Sequence, residues 1–339
     1  MSTLKVDAIR HNSATSDAIT TAADGTCTGK ITNYPHRNLF LNGAVNISQR
    51  GDSYASAYTY KADQWYIFPT GSTTTRLTTS PPDGFTYYFR FPSATNSIII
   101  SQQIELDVQG KVGKYKNKTV TVSWYARSES SNTMYVDAAF KNNSGGGNYT
   151  SIVAGSGSAQ SITSSWARYT QTFTISATPH ANNKCFSVMI RTPSGQGGTL
   201  EATGFQCEFG DIATDFEHVA IAEDLSRCGR YYQRISGNNG TAIAMAFNYN
   251  TTLVDWVAQY PMGPMRSIPS LDQVNGSDYF QYQGGGQSTN HLDGPFVIEQ
   301  GTTTQANIYF DPDNNLTAGG IGYILTDNGS AYLAFSSEL

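Results

Sequence analysis

The sequence predicts a mainly β protein built as two sandwiches in series, and three observations carry that reading. Only 14% of the 339 residues are charged, while Gly numbers 32, Tyr 21 and Phe 16, so aromatic strand formers sit among many turn formers. Apolar residues recur with a period of two over short runs separated by Gly, Asn, Ser or Pro. One segment alone, EHVAIAEDLSRCGRYY, carries helical spacing, with Ile221, Leu225, Cys228 and Tyr232 four, three and four residues apart. The expected order is an N-terminal arm (1–36), a jelly-roll β-sandwich (37–217), a linking helix (218–236) and a smaller C-terminal β-sandwich (237–339).

The first 36 residues differ from the rest. Leu4, Val6 and Ala8 alternate with Lys5 and Asp7, and HNSATSDAITTAADGTCTGK follows with no apolar face wide enough for a core. Such an arm is expected to order by adding a strand to a partner chain or a larger assembly. From Asn38 the predicted strands are NLFLNGAVNISQRG, YKADQWYIF, FTYYFRF, NSIIISQQIELDVQ, KTVTVSWYARSES, ARYTQTFTI, CFSVMIRT and TLEATGFQCEF. Alternation puts Val120, Val122, Trp124 and Ala126 on one face of their strand, opposite Thr119, Thr121, Ser123 and Tyr125. In the last of these strands Leu200, Ala202, Gly204, Gln206 and Glu208 alternate with Glu201, Thr203, Phe205, Cys207 and Phe209, and Gly210 ends it. Beyond the helix, TAIAMAFNY, LVDWVAQYP, DYFQYQ, GPFVIEQ, QANIYFDP, GIGYILTD and SAYLAFSSEL give seven further strands.

Composition excludes several functions. A net charge of −5 with no basic stripe argues against nucleic acid. No run approaches the roughly 18 apolar residues of a membrane helix, and MSTLKVDAIRHNS lacks the apolar core of a signal peptide, so a soluble protein is expected without membrane insertion. Cys27, Cys185, Cys207 and Cys228 form no CxxC pair and read as small buried hydrophobes. Asp311-Pro312-Asp313-Asn314 resembles the start of a calcium loop, yet Gly322 stands where the closing Glu belongs; a structural calcium ion has no motif behind it, and no cofactor or metal is predicted. Carboxylate pairs such as Glu105 with Asp107, or Asp211 with Asp215, do not by their spacing make a glycosidase, and no nucleophile elbow, phosphate loop or zinc motif occurs, so no catalytic residue is assigned. Aromatic side chains remain. Trp65, Trp124 and Trp166 are assigned to the core, while Tyr88 and Tyr125 are the candidate ligand-binding residues, able to stack on a sugar face.

Several of these stretches carry a resemblance. NLFLNGAVNISQRG with YKADQW, the junction GFQCEFGDIATDFEHVAIAEDLSRCGRYYQR, YPMGPMRSIPSL and the ending AYLAFSSEL are similar to segments of a widespread group of phage tail-fibre and other virion proteins with a carbohydrate-binding-module-like jelly roll. The match departs from that group's pattern at Asp215, Cys207 and Gly229. The arm is similar to leaders on fibre-like proteins of marine phages. The resemblance implies a non-enzymatic virion protein, often a homotrimer, attached to a tail or capsid protein through residues 1–36 and contacting host surface polysaccharide. A purely architectural decoration or collar fibre and a tail-associated depolymerase are the alternatives. Glu208, Glu217, His218 and Arg230 are read as a structural hinge.

Overall fold

The computed structural model describes residues 6–13, 17–29, 35–55, 59–68, 73–92, 97–106, 115–142, 150–178, 183–195, 197–276, 278–284, 290–292, 294–312 and 316–339. It is a β protein with one α-helix among the described residues, Ile221–Gly229. Asp313 and Asn314 of the calcium-like stretch, and most of the Asn142 to Asn148 loop, lie outside the described residues.

The first sandwich packs two antiparallel sheets. One runs in the order Ala167–Thr174, Thr119–Ser128, Leu200–Phe209, Tyr88–Phe91, Thr74–Leu77, Ser53–Tyr54. The other runs Thr150–Ala154, Thr133–Lys141, Cys185–Arg191, Ile99–Glu105, Tyr66–Phe68, Thr59–Tyr60. Between them lies a core that includes Trp65, Phe89, Val122, Trp124, Phe140 and Phe186. Val120, Val122, Trp124 and Ala126 are fully buried on the predicted face. Thr133–Lys141 is a strand that the sequence reading did not include: Met134, Val136, Ala138 and Phe140 alternate into the core, and its polar side, with Asp137 and Lys141, is buried as well.

Two expected strands are something else. NLFLNGAVNISQRG contains no strand: Asn42 and Val45 take positive φ, and the Asn42 side chain closes a knot by accepting from the Ile47 amide (2.9 Å) and donating to the Ile47 carbonyl (2.7 Å). YKADQWYIF is a hairpin, Thr59–Tyr60 paired with Tyr66–Phe68 around a turn at Gln64, whose φ is +72°. The arm also differs from expectation, since Ala8–Ile9, Ile19–Thr21 and Cys27–Gly29 pair with one another in a small antiparallel meander. Only its middle strand, Ile19–Thr21, is paired on both sides, and Val6, Ile9 and Ile19 stay exposed. Cys27 is exposed, against expectation, whereas the other three cysteines are buried.

Of the stripe that the spacing predicts, Cys228 and Tyr232 are buried and Leu225 is half-buried, and the face departs from expectation at its first residue. Ile221 is exposed and Asp224 is buried, because the Asp224 carboxylate accepts the Asn42 amide at 2.9 Å. The chain then enters the second sandwich at once as Tyr232–Ser236, which pairs with Tyr332–Ser336; that strand pairs in turn with Ser270–Gln273. The facing sheet runs Asn290–His291, Phe280–Gly284, Ile321–Thr326, Ala242–Asn248, Val254–Gln259, Gln305–Phe310, Val297–Gly301. Trp256, Phe280, Phe296, Phe310 and Phe335 fill its core.

The two sandwiches meet in a buried polar junction. Gln49 of the first uses its side-chain amide as a peptide would, accepting from Arg234 N (3.0 Å) and donating to Tyr232 O (2.7 Å), and so satisfies the outer edge of Tyr232–Ser236. Asp63 holds that amide in place, accepting from Gln49 N at 2.9 Å and Nε2 at 2.5 Å. The Arg50 guanidinium stacks 3.5 Å from the Tyr232 ring centroid and pairs with Glu338 at 3.1 Å. Arg266 donates to the Ser337 carbonyl, and the Tyr60 hydroxyl to the Leu339 carbonyl, both at 2.8 Å.

This junction makes stability depend on pH. Burial pushes the Glu338 carboxyl from its ordinary 4.5 up to about 7, Arg50 opposing, and burial likewise raises Asp63 and Asp224. Folded Glu338 therefore holds its proton more tightly than unfolded Glu338. Its stabilisation is fully present below pH 4.5 and is lost as pH rises toward 7. Stability is expected to fall by on the order of 2 kcal/mol between pH 5 and 8, lowering the thermal midpoint, and Glu338→Gln should flatten the slope. Equal slopes for both proteins in scanning calorimetry would remove Glu338 as its source.

Candidate functional site

The outward face of the six-stranded sheet presents a row of polar side chains set by strand register. Arg90 stands opposite Glu201, and Glu201 opposite Arg127. Arg127 bonds Glu201 through Nε, and Arg90 Nε lies 3.8 Å from the same carboxylate. Trp166 continues the row, its ring 4.9 Å from the Arg127 guanidinium carbon and its Nε1 donating to Ser80 O at 2.9 Å. Tyr88 forms the back wall, edge-on to Trp166 at 5.5 Å with its hydroxyl donating to Thr79 O at 2.8 Å. Burial, and then the Glu201 carboxylate, hold the Tyr88 phenol above its ordinary range, so it remains a neutral donor.

Tyr88, Arg90, Arg127 and Glu201 line an open cleft of about 450 Å³ together with Leu77, Glu129 and Thr199, and Trp166 stands beside it against Tyr88 and Arg127. Glu201 is nearly buried (side chain 8% exposed), whereas Arg127 is 29% and Arg90 41% exposed. A fixed carboxylate between two partly free guanidiniums offers acceptors and donors in one plane, beside an indole wall. Vicinal hydroxyls on a pyranose ring match that pattern, since each can donate to a carboxylate and accept from Arg while the ring's C–H face packs on an aromatic.

The sequence named Tyr88 and Tyr125, and the structure separates them. Both face outward from the same sheet, but Tyr88 is only 2% exposed and contributes a wall of the cleft. Tyr125 lies outside the cleft, half-buried under Phe85 at 5.1 Å. Phe85 in turn packs on Phe216 (4.8 Å) and His218 (5.4 Å), so the segment after Gly210 roofs that part of the sheet. Trp65 and Trp124 are core residues, as expected; half-buried Trp166 instead stands beside the cleft, against Arg127 and Tyr88. Arg90, Arg127 and Glu201 were missed because charged residues at alternate strand positions look like any solvated face. Their only signal was the opposite-charge register, which needs the strand order to be known.

The hinge residues hold the junction's approach. Glu217 accepts from the His36 amide at 2.5 Å and the Asn38 amide at 2.8 Å, Glu208 from Thr214 N (2.9 Å) and Oγ1 (2.7 Å), and Arg230 pairs with Glu105 at 3.2 Å. The predicted alternation of Leu200–Phe209 changes phase midway. Leu200 and Ala202 face the core, but after Gly204 it is Phe205 and Cys207 that do, leaving Gln206 and Glu208 outward. A bulge opposite Ser123 to Tyr125 inserts the extra residue. Gly204 has φ +61°, and a Cβ there would lie 2.6 Å from the Phe85 ring and 2.8 Å from Tyr125.

Residues 78–195 match the profile of a family described as Carbohydrate binding domain. No curated protein matches the chain. Among solved structures, the chain is similar to the CBM22-1 xylan-binding domain of Paenibacillus barcinonensis Xyn10C (11% identity, 52% of this chain and 96% of that one, TM-score 0.32). It is similar to a putative sugar binding protein from Bacteroides thetaiotaomicron (14%, 51% and 100%, TM-score 0.36). It is also similar to tailspike protein 4 of bacteriophage CBA120 (13%, 52% of this chain, TM-score 0.34), of which it spans 22%.

Gly204→Ala should cost roughly 2–5 kcal/mol in urea unfolding, from the left-handed backbone and the collision with Phe85 together. A loss under about 1 kcal/mol would mean the bulge tolerates a side chain. The family match covers Tyr88, Arg90, Arg127 and Trp166, and it supports carbohydrate binding by the first sandwich.

Proposed function

We propose that this chain is a virion appendage or fibre subunit whose first sandwich binds polysaccharide in the cleft bounded by Tyr88, Arg90, Arg127 and Glu201, with Trp166 beside it. The observation that carries the binding half is the Arg90–Glu201–Arg127 row ending on Trp166, lying largely within the stretch that matches a carbohydrate binding domain. The virion half rests on the resemblance of the junction motifs to phage fibre proteins, with residues 1–36 as the attachment to a tail or capsid protein and the host surface polysaccharide as ligand. The protein acts by binding and not by catalysis in this reading: the Glu201 carboxylate is tied by two arginines as a fixed acceptor.

Isothermal titration or a glycan array with the intact chain tests the binding half. Arg127→Ala and Trp166→Ala should each weaken polysaccharide binding about tenfold or more, through the loss of a charge-assisted hydrogen bond or a stacking surface. Tyr125→Phe, outside the cleft, should leave affinity unchanged. Binding that survives both cleft substitutions would move the site elsewhere. Absence of binding to any polysaccharide would leave an architectural fibre, and release of shortened oligosaccharides would make the protein a depolymerase.

A further inference from the structure

We infer that copies of this chain associate through the outward face of the larger sheet of the C-terminal sandwich. That face is largely apolar across its central strands, where Asp255 is the one charged residue. Met245, Phe247 and Tyr249 project from or just beyond Ala242–Asn248 with 63%, 42% and 66% of their surface exposed. Ile321 and Tyr323 on the neighbouring strand are 64% and 50% exposed, and Val257 is 55% exposed. Register makes the patch continuous: Met245 stands opposite Tyr323, and Phe247 opposite Ile321 on one side and Asp255, two residues before Val257, on the other.

Large side chains exposed to this extent present roughly 600 Å² of mostly apolar surface, the upper end of what a monomer leaves bare. With the flanking Gln281, Gln283 and Asn307 the area reaches about the 800 Å² that each partner contributes to a standard protein interface. Composition selects the occupant. Phe280–Gly284, Ile321–Thr326, Ala242–Asn248, Val254–Gln259, Gln305–Phe310 and Val297–Gly301 contain no Lys or Arg, which removes the cations that an anionic lipid surface or nucleic acid would require. Met and aromatic residues with little charge are what the buried centre of a protein interface contains. An identical sheet face supplies a matching apolar layer, because two twisted sheets pack face to face about 10 Å apart with their side chains interleaved. The remaining exposed large hydrophobics among the described residues are scattered over the arm, Phe68, Ile212, Ile221 and the sheet's margin, so no comparable second surface competes. Association therefore places the polysaccharide cleft, on a different sandwich, free on every copy.

Light scattering on the intact chain at about 20 µM should give a multiple of the 36.8 kDa chain mass, with the copy number read directly. Met245→Glu combined with Tyr323→Glu should return it to 36.8 kDa with an unchanged circular dichroism spectrum. The smaller, still β-branched pair Val257→Thr and Ile321→Thr should weaken self-association at least tenfold, and decides the same question with less disturbance to the fold. A monomeric mass for the intact chain, or an oligomer that withstands both sets of substitutions, overturns the proposal.

Discussion

The Gln49 side chain, clamped by Asp63, supplies the peptide-like pairing without which the edge of Tyr232–Ser236 would be left bare, and the relation of the two sandwiches depends on it. The same device recurs through the molecule. Gln102 brackets the Leu41 peptide, accepting its N–H at 2.7 Å and donating to its carbonyl at 2.8 Å. Gln273 does so for Phe296 at 2.9 and 2.8 Å. In each case one amide terminates a sheet or anchors a loop without adding charge. A protein poor in charged residues satisfies its buried backbone this way, since an unpaired buried peptide group costs as much as the hydrogen bond it lacks.

Around that amide the junction gathers buried charges. Arg50 over Tyr232, paired with Glu338, lies beside Asp63 in a setting where truncating one partner leaves the other uncompensated. Stretches far apart in sequence meet here: Gln49-Arg50, Tyr60 to Gln64, Tyr231-Tyr232, Arg266 and Glu338-Leu339. Their contacts make one fixed interface between the sandwiches. The proposed cleft lies elsewhere, on side chains that carry no motif.

The cleft illustrates why binding residues were harder to read than fold. Tyr88 was legible because aromatic crowding on FTYYFRF stands out. Arg90, Glu201 and Arg127 come from three strands, and their alignment follows from strand order. Tyr125 shares the outward face with Arg127 yet lies under Phe85, a contact made across 40 residues of chain that no local pattern encodes.

The sequence by itself determined the β class, the inward face of Thr119–Ser128, the single helix and most strands of the second sandwich, because alternation and turn residues act locally. Only the tertiary structure decided the rest. Thr133–Lys141 is buried on both sides, its polar Asp137 and Lys141 included, and NLFLNGAVNISQRG folds as a knot because Asn42 bonds its own loop. Leu200–Phe209 changes phase at Gly204 because a partner strand forces a bulge, and Asp224 replaces Ile221 inside because Asn42 offers it an amide. These outcomes rest on hydrogen bonds and packing between distant segments, whose partners do not exist until the chain has folded.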